Sequence, residues 1–205
     1  MSLRVPVAPP TPPGVDQRNS RVLRTFGRVA LRLCGWRVTG QVPDVPRFIA
    51  IVAPHTSNWD FVIGVFVMFA LDLRITWLGK DSLFATPLGP LLRRLGGRPV
   101  KRETHEGVVR DLAAMLRAEP RFILALAPEG TRRPVTRWRT GYYHIAEATR
   151  VPILPVWLDW SRHEAGIGEP LMPTGAMAAD VARLQRLYRA GMGRFPAGYA
   201  VTPPR

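Results

Sequence analysis

Phe48-Ile49-Ala50-Ile51-Val52-Ala53-Pro54-His55-Thr56-Ser57-Asn58-Trp59-Asp60 is the stretch whose reading decides the fold. An apolar run ends at Pro54, a polar turn presents a histidine, and a second apolar run begins at Phe61. That pattern reads as a buried strand that stops and feeds a helix. Histidine is the side chain best suited to take a proton near neutral pH, and a neighbouring carboxylate can set its tautomer and stabilise the imidazolium. His55 and Asp60 have the residue types for such a pair. No serine or cysteine partner is evident, so the nucleophile would be a hydroxyl of the substrate. The same residues also fit a plain helix start. Ser57, three residues before Asp60, matches an N-cap with an acid in the first turn, and His55 would then be an ordinary loop histidine.

The 205 residues fit one domain with a real core, and 46% apolar content with six tryptophans agrees. The single cysteine, Cys34, cannot form an internal disulfide, which argues against a bridge-stabilised secreted scaffold. The net charge of +14 comes mostly from arginine and points to a polyanionic partner: nucleic acid, an anionic membrane or a phosphorylated substrate. The start, Met1 to Asp16, is proline-rich and lacks the pattern of a signal peptide. The longest apolar run, Phe61 to Leu71, falls well short of the roughly 20 residues that cross a bilayer, so no transmembrane anchor is expected. The four histidines, His55, His105, His144 and His163, lack metal-ligand spacing, so neither metal nor cofactor is expected.

Taken in order, residues 1–17 read as a disordered leader and 18–195 as the working domain. Residues 18–36 form a basic amphipathic helix, with Val22, Phe26, Val29, Ala30 and Leu33 at helical spacing among arginines. Such a helix can lie in a membrane interface or pack on its own domain. Strands are expected at 47–53, 74–79, 98–102, 122–127 and 151–158, the last in an edge or irregular position because of Pro152 and Pro155. Helices are expected at 61–71, 87–95, 104–118, 140–149 and 179–190, and 196–205 reads as a loose tail. The alternation predicts a single α/β domain, a central mostly parallel or mixed sheet flanked by helices, with the N-terminal amphipathic helix added. In such sheets ligands gather at the carboxyl ends of strands. The turns His55–Asp60 and Pro128–Arg132 both follow strands, which puts them on one rim without showing that they touch.

An anion-binding set can be drawn from Lys80, Arg102, Arg132 and Arg133. In Glu129-Gly130-Thr131-Arg132 the glycine permits a tight turn and close approach of backbone to ligand, and arginine offers a planar fork suited to phosphate. An apolar substrate surface can come from the 61–71 helix, Trp59, Trp138 and the 142–145 region.

Four blocks in one order resemble the glycerolipid (lysophospholipid) acyltransferases, which include 1-acyl-glycerol-3-phosphate acyltransferase. His55-Thr56-Ser57-Asn58-Trp59-Asp60 is similar to the family's H-x4-D block, Gly97–Arg102 to its second, Pro128-Glu129-Gly130-Thr131-Arg132 to its P-E-G-T-R block, and Val151–Val156 to its proline-containing fourth. The resemblance covers about residues 47–160. Pro54, Trp59 and Ala127 depart from the residues usual in the family at those places. The resemblance implies that His55 is the general base on an acceptor hydroxyl, oriented by Asp60, and that the hydroxyl attacks the thioester of acyl-CoA or acyl carrier protein. It implies that Arg102 and Arg132 hold the acceptor phosphate, with Glu129, Gly130 and Thr131 in the same pocket. Lys80 joins that substrate-binding set on its charge alone. The implied acceptor is a lysophospholipid such as 1-acyl-glycerol-3-phosphate, and the implied place is the cytoplasmic, inner face of the cell membrane, held peripherally. Two alternatives remain: an acyltransferase for an amino-lipid or sugar-lipid, or a non-catalytic basic module for anionic membrane or nucleic acid. No nucleic-acid-binding motif supports the last.

Overall fold

Arg47–Ala53 forms the strand expected there, and its apolar residues alternate between two cores. Phe48 and Ala50 join one buried cluster, while Ile49, Ile51 and Ala53 join the other. A strand apolar on both faces is dictated to be central, because either face left in water would be costly. The computed structural model describes residues 7–100 and 105–201. Its helices are α1 (Arg21–Leu33), α2 (Asn58–Ala70), α3 (Asp81–Phe84), α4 (Gly89–Arg94), α5 (His105–Ala118), α6 (Gly141–Thr149) and α7 (Met177–Gln185). Its strands are β1 (Arg37–Thr39), β2 (Arg47–Ala53), β3 (Ile75–Lys80), β4 (Gly97–Val100), β5 (Phe122–Leu126), β6 (Ile153–Asp159) and β7 (Glu164–Ile167).

Among the described residues the strands form one seven-stranded sheet in the order β1-β7-β6-β2-β5-β3-β4, with β2 in the middle. All neighbours are parallel except β6 and β7, so the domain is α/β with a mixed, mostly parallel sheet. Residues of α5, α6 and α7 pack on one face, and those of α1 and α2 on the other. Gly27 lets α1 lie close on α2: a Cβ there would stand 2.4 Å from the Ala70 nitrogen.

Several expectations need correction. The strand at 151–158 is interior, with β2 and β7 on either side. Its prolines cost little pairing, because the Pro155 carbonyl still accepts from Gly168 N–H (2.9 Å) and that of Pro152, before the strand, accepts from Ile49 N–H (3.0 Å). Leader residues 7–17 are tied to the body: Val15 and Ala8 are buried, and Val38 N–H donates to the Val7 carbonyl at 2.8 Å. The tail is not loose as far as residue 201, since Tyr199 and Val201 are buried in the α5–α6 core. Gly27 and Leu31 make the packed face of α1, whereas Val22 (78% exposed), Val29 and Leu33 (82%) face outward in a stripe with the half-exposed Phe26, whose ring also meets Phe66 and Phe69 of α2 edge-on. Among the described residues, no helix is long and apolar enough to cross a membrane.

Candidate active site

The residues that end β2 build the site. Ser57 caps α2, its hydroxyl accepting from Trp59 N–H (3.2 Å), while the Asp60 carboxylate reaches back to the chain. Asp60 Oδ2 accepts from Thr56 N–H (2.8 Å) and Ser57 N–H (2.7 Å) and stands 3.3 Å from His55 Nδ1. Asp60 Oδ1 accepts from Trp160 Nε1 at 2.8 Å. One carboxylate therefore completes the helix cap and also stands beside the His55 ring. Its side chain is 2% exposed and that of His55 is 21% exposed. A carboxylate can only accept, so a neutral His55 at this distance favours the tautomer with its proton on Nδ1 and its lone pair on Nε2.

β2 and β5 pair in register, Ile51 opposite Leu126, so the turns that follow them are neighbours. They do touch. His55 N–H donates to Glu129 Oε2 at 2.8 Å, across 74 positions of sequence. Glu129 is 3% exposed, and its Oε1 has no hydrogen-bond partner among the described residues. Burial pushes the Glu129 carboxyl up from 4.5 to about 7; the bond from His55 N–H opposes that rise, and the charge of Asp60 adds to it. Glu129 thus positions the His55 backbone rather than facing outward toward a phosphate. Gly130 has φ +66°, and a Cβ there would stand 2.6 Å from Arg139 Nε, which is why glycine occupies this place.

Thr131 turns inward on its own loop, its hydroxyl accepting from Arg133 N–H at 3.2 Å. Arg132 and Arg133 are exposed on the same loop. Lys80 ends β3, on the same carboxyl rim of the sheet, and no hydrogen bond or ion pair joins it to His55, Asp60 or Glu129. Arg102 lies outside the described residues. Trp160 and Thr56 are the site residues that sequence reasoning missed. Trp160 lies 100 positions from the carboxylate it binds, and Thr56 Oγ1 accepts from Phe195 N–H (3.3 Å) across 139. No local pattern announces either hydrogen bond. Among the described residues no group of three or more His, Cys, Asp or Glu side chains is placed to hold a metal ion.

Several known proteins are similar to this chain. The 1-acyl-sn-glycerol-3-phosphate acyltransferase of Haemophilus influenzae is 28% identical over 144 residues, 66% of this chain and 58% of that protein. The Salmonella typhimurium protein of the same name is 29% identical over 151 residues, 68% and 60% of the two chains. That of Escherichia coli is 26% identical over 162 residues, 73% and 65%. The chain therefore spans about three-fifths of the length of these relatives. Among solved structures, the 1-acyl-sn-glycerophosphate acyltransferase PlsC of Thermotoga maritima shares the fold, with TM-score 0.56, 20% identity, and coverage of 82% of this chain and 78% of that one. The acyltransferase family model matches residues 37–159, which include the His55 turn, the Glu129 loop and the central strands between them. The chain belongs to the acyltransferase family.

Proposed function

We propose that this protein moves a fatty acyl group from an acyl thioester to a hydroxyl of a lysophospholipid such as 1-acyl-glycerol-3-phosphate. The observation that carries the reading is the buried Asp60 carboxylate 3.3 Å from Nδ1 of a part-exposed His55, at the carboxyl end of the central strand. His55 Nε2 takes the proton of the acceptor hydroxyl as its oxygen attacks the thioester carbonyl. The C–O bond forms, the C–S bond breaks, and the proton passes from the imidazolium to the leaving sulfur. Asp60 stabilises the imidazolium in between. The substrate alcohol stands where a hydrolase would use its own serine, so neither a covalent acyl-enzyme nor a cofactor is required. Arg132 and Arg102 bind the acceptor phosphate in this reading. Glu129 and Gly130 hold the loop that carries Arg132, and Lys80 adds positive charge on the same rim.

A lipid acceptor calls for a membrane surface. The exposed stripe Val22, Phe26, Val29 and Leu33 of α1, beside exposed Arg21, Arg28 and Arg32, suits peripheral attachment to an anionic leaflet. The test is product identification. Purified protein with oleoyl-CoA and lysophosphatidic acid yields phosphatidic acid by mass spectrometry. Product only with an amino-lipid or sugar-lipid acceptor would move the assignment to that acceptor, and no product with any acceptor and either acyl-CoA or acyl carrier protein would reject the enzyme reading.

A further inference from the structure

A guanidinium beside the His55 turn takes no part in the chemistry above. Arg194 lies just after the 3-10 turn Ala190–Met192, beyond the residues that the family model matches. Its Cζ lies 4.7 Å from the ring centroid of Trp160, 5.3 Å from that of Trp59 and 6.0 Å from that of Phe195. Two of these rings flank Asp60: Trp59 precedes it in the chain, and Trp160 donates to its Oδ1. The segment that carries Arg194 is pinned to the same turn. Phe195 N–H donates to Thr56 Oγ1 at 3.3 Å, and Trp160 N–H donates to the Met192 carbonyl at 2.9 Å. Gly193 and Gly198 press on Thr56 so closely that a Cβ on either would stand 3.0 Å from Thr56 Cγ2.

A cation–π contact uses the charge of the guanidinium and none of its hydrogen-bond donors, so the N–H groups remain to fork a phosphate. Arg194 is exposed and makes no ion pair with an Asp or Glu among the described residues. A cation already held on rings has given up much of its rotamer freedom, so capturing an anion costs less. Resting on the acyltransferase reading, we propose that Arg194 is an anion-binding residue of this site, taking a substrate phosphate at its mouth on the Trp59–Trp160 side. That phosphate belongs either to the carrier of the acyl donor or to the headgroup of the acceptor. The chemistry recognised is the same.

Equilibrium binding separates the sources without needing turnover. Coenzyme A and glycerol 3-phosphate are titrated separately into wild type, R194A and R194Q, read by tryptophan fluorescence and by calorimetry. Removing a bidentate, charge-assisted hydrogen bond to phosphate weakens binding by roughly tenfold to a hundredfold. The expected result is a rise of at least tenfold in Kd for one ligand in both variants, with melting temperature unchanged. A rise for coenzyme A assigns the carrier phosphates, and a rise for glycerol 3-phosphate assigns the headgroup. Kd values within twofold of wild type for both ligands in either folded variant would overturn the proposal, as would wild type binding neither ligand. Acceptor-dependent turnover of wild type in the same preparation tests the acyltransferase reading separately, since that reading can stand while both variants bind as wild type does.

Discussion

Replacing Glu129 by glutamine isolates the most perturbed carboxyl of the site. Glu129 is buried, accepts one hydrogen bond through Oε2 and has Oε1 without a partner among the described residues. Its pKa rises from 4.5 to about 7 on folding, so between those values the folded state binds more protons than the unfolded state. Stability from this group is therefore greatest in acid and is lost as pH rises from 4.5 through 7. At about 1.4 kcal/mol per pH unit the whole swing is about 3 kcal/mol. E129Q keeps the shape and an acceptor for His55 N–H but carries no titrating proton. Urea unfolding of both proteins at about pH 5, 6, 7 and 8 reads the difference directly. E129Q gains on wild type by about 3 kcal/mol across that range, and its kcat at about pH 7.5 stays within about tenfold, because the bond to His55 N–H survives. A stability difference flat to within about 1 kcal/mol would refute the reasoning. A loss of activity as severe as that of a His55 variant would show that Glu129 touches substrate rather than positioning the turn.

Three further outcomes follow from single interactions. W160F removes the indole N–H donated to Asp60 Oδ1 while keeping an aromatic ring on Trp36; a hydrogen bond to a charged group is worth about 1.5–3 kcal/mol, so the melting temperature falls by about 3–12 °C and kcat/KM of the still-folded variant falls about tenfold or more. Changing Val22, Val29 and Leu33 together to serine strips apolar surface that is already in water, so thermal stability holds while binding to anionic vesicles, read by co-sedimentation, drops by about tenfold or more. Deleting residues 199–205 removes buried Tyr199 and Val201, costing about 4 kcal/mol and lowering the melting temperature by about 10 °C in a calorimetric scan.

What was legible in the sequence was local. The apolar run 48–53, the proline that stops it, the Ser57 cap and the acid at the third helical position each act within a few residues, so strand, turn and helix can be read straight off the chain. The pairing of His55 with Asp60 is local in the same way. β1 and β7 escape such a reading because they are short and contain or adjoin glycine, which reads as turn. In β7 the glycine is demanded by packing, since a Cβ on Gly166 would stand 2.0 Å from Trp157 Cε2. The interior place of β6 was hidden because proline weakens a ladder only at its own nitrogen, and the sequence does not say which neighbours supply the rest. The hydrogen bonds that finish the site, Glu129 to His55, Trp160 to Asp60 and Phe195 to Thr56, join residues 74 to 139 positions apart and depend on the sheet order. The tail misleads by composition: its prolines suggest disorder, but Tyr199 and Val201 bring enough apolar surface to dock.

The central claim is that His55, oriented by Asp60, removes the proton of a lipid hydroxyl. Thiol release from acyl-CoA, measured with and without lysophosphatidic acid for wild type and H55A, tests it most directly. The predicted result is release that depends on the acceptor in wild type and falls by about a thousandfold or more in H55A, with the variant still folded and still bound to vesicles. Acceptor-dependent release that persists in folded H55A within about tenfold of wild type would contradict it.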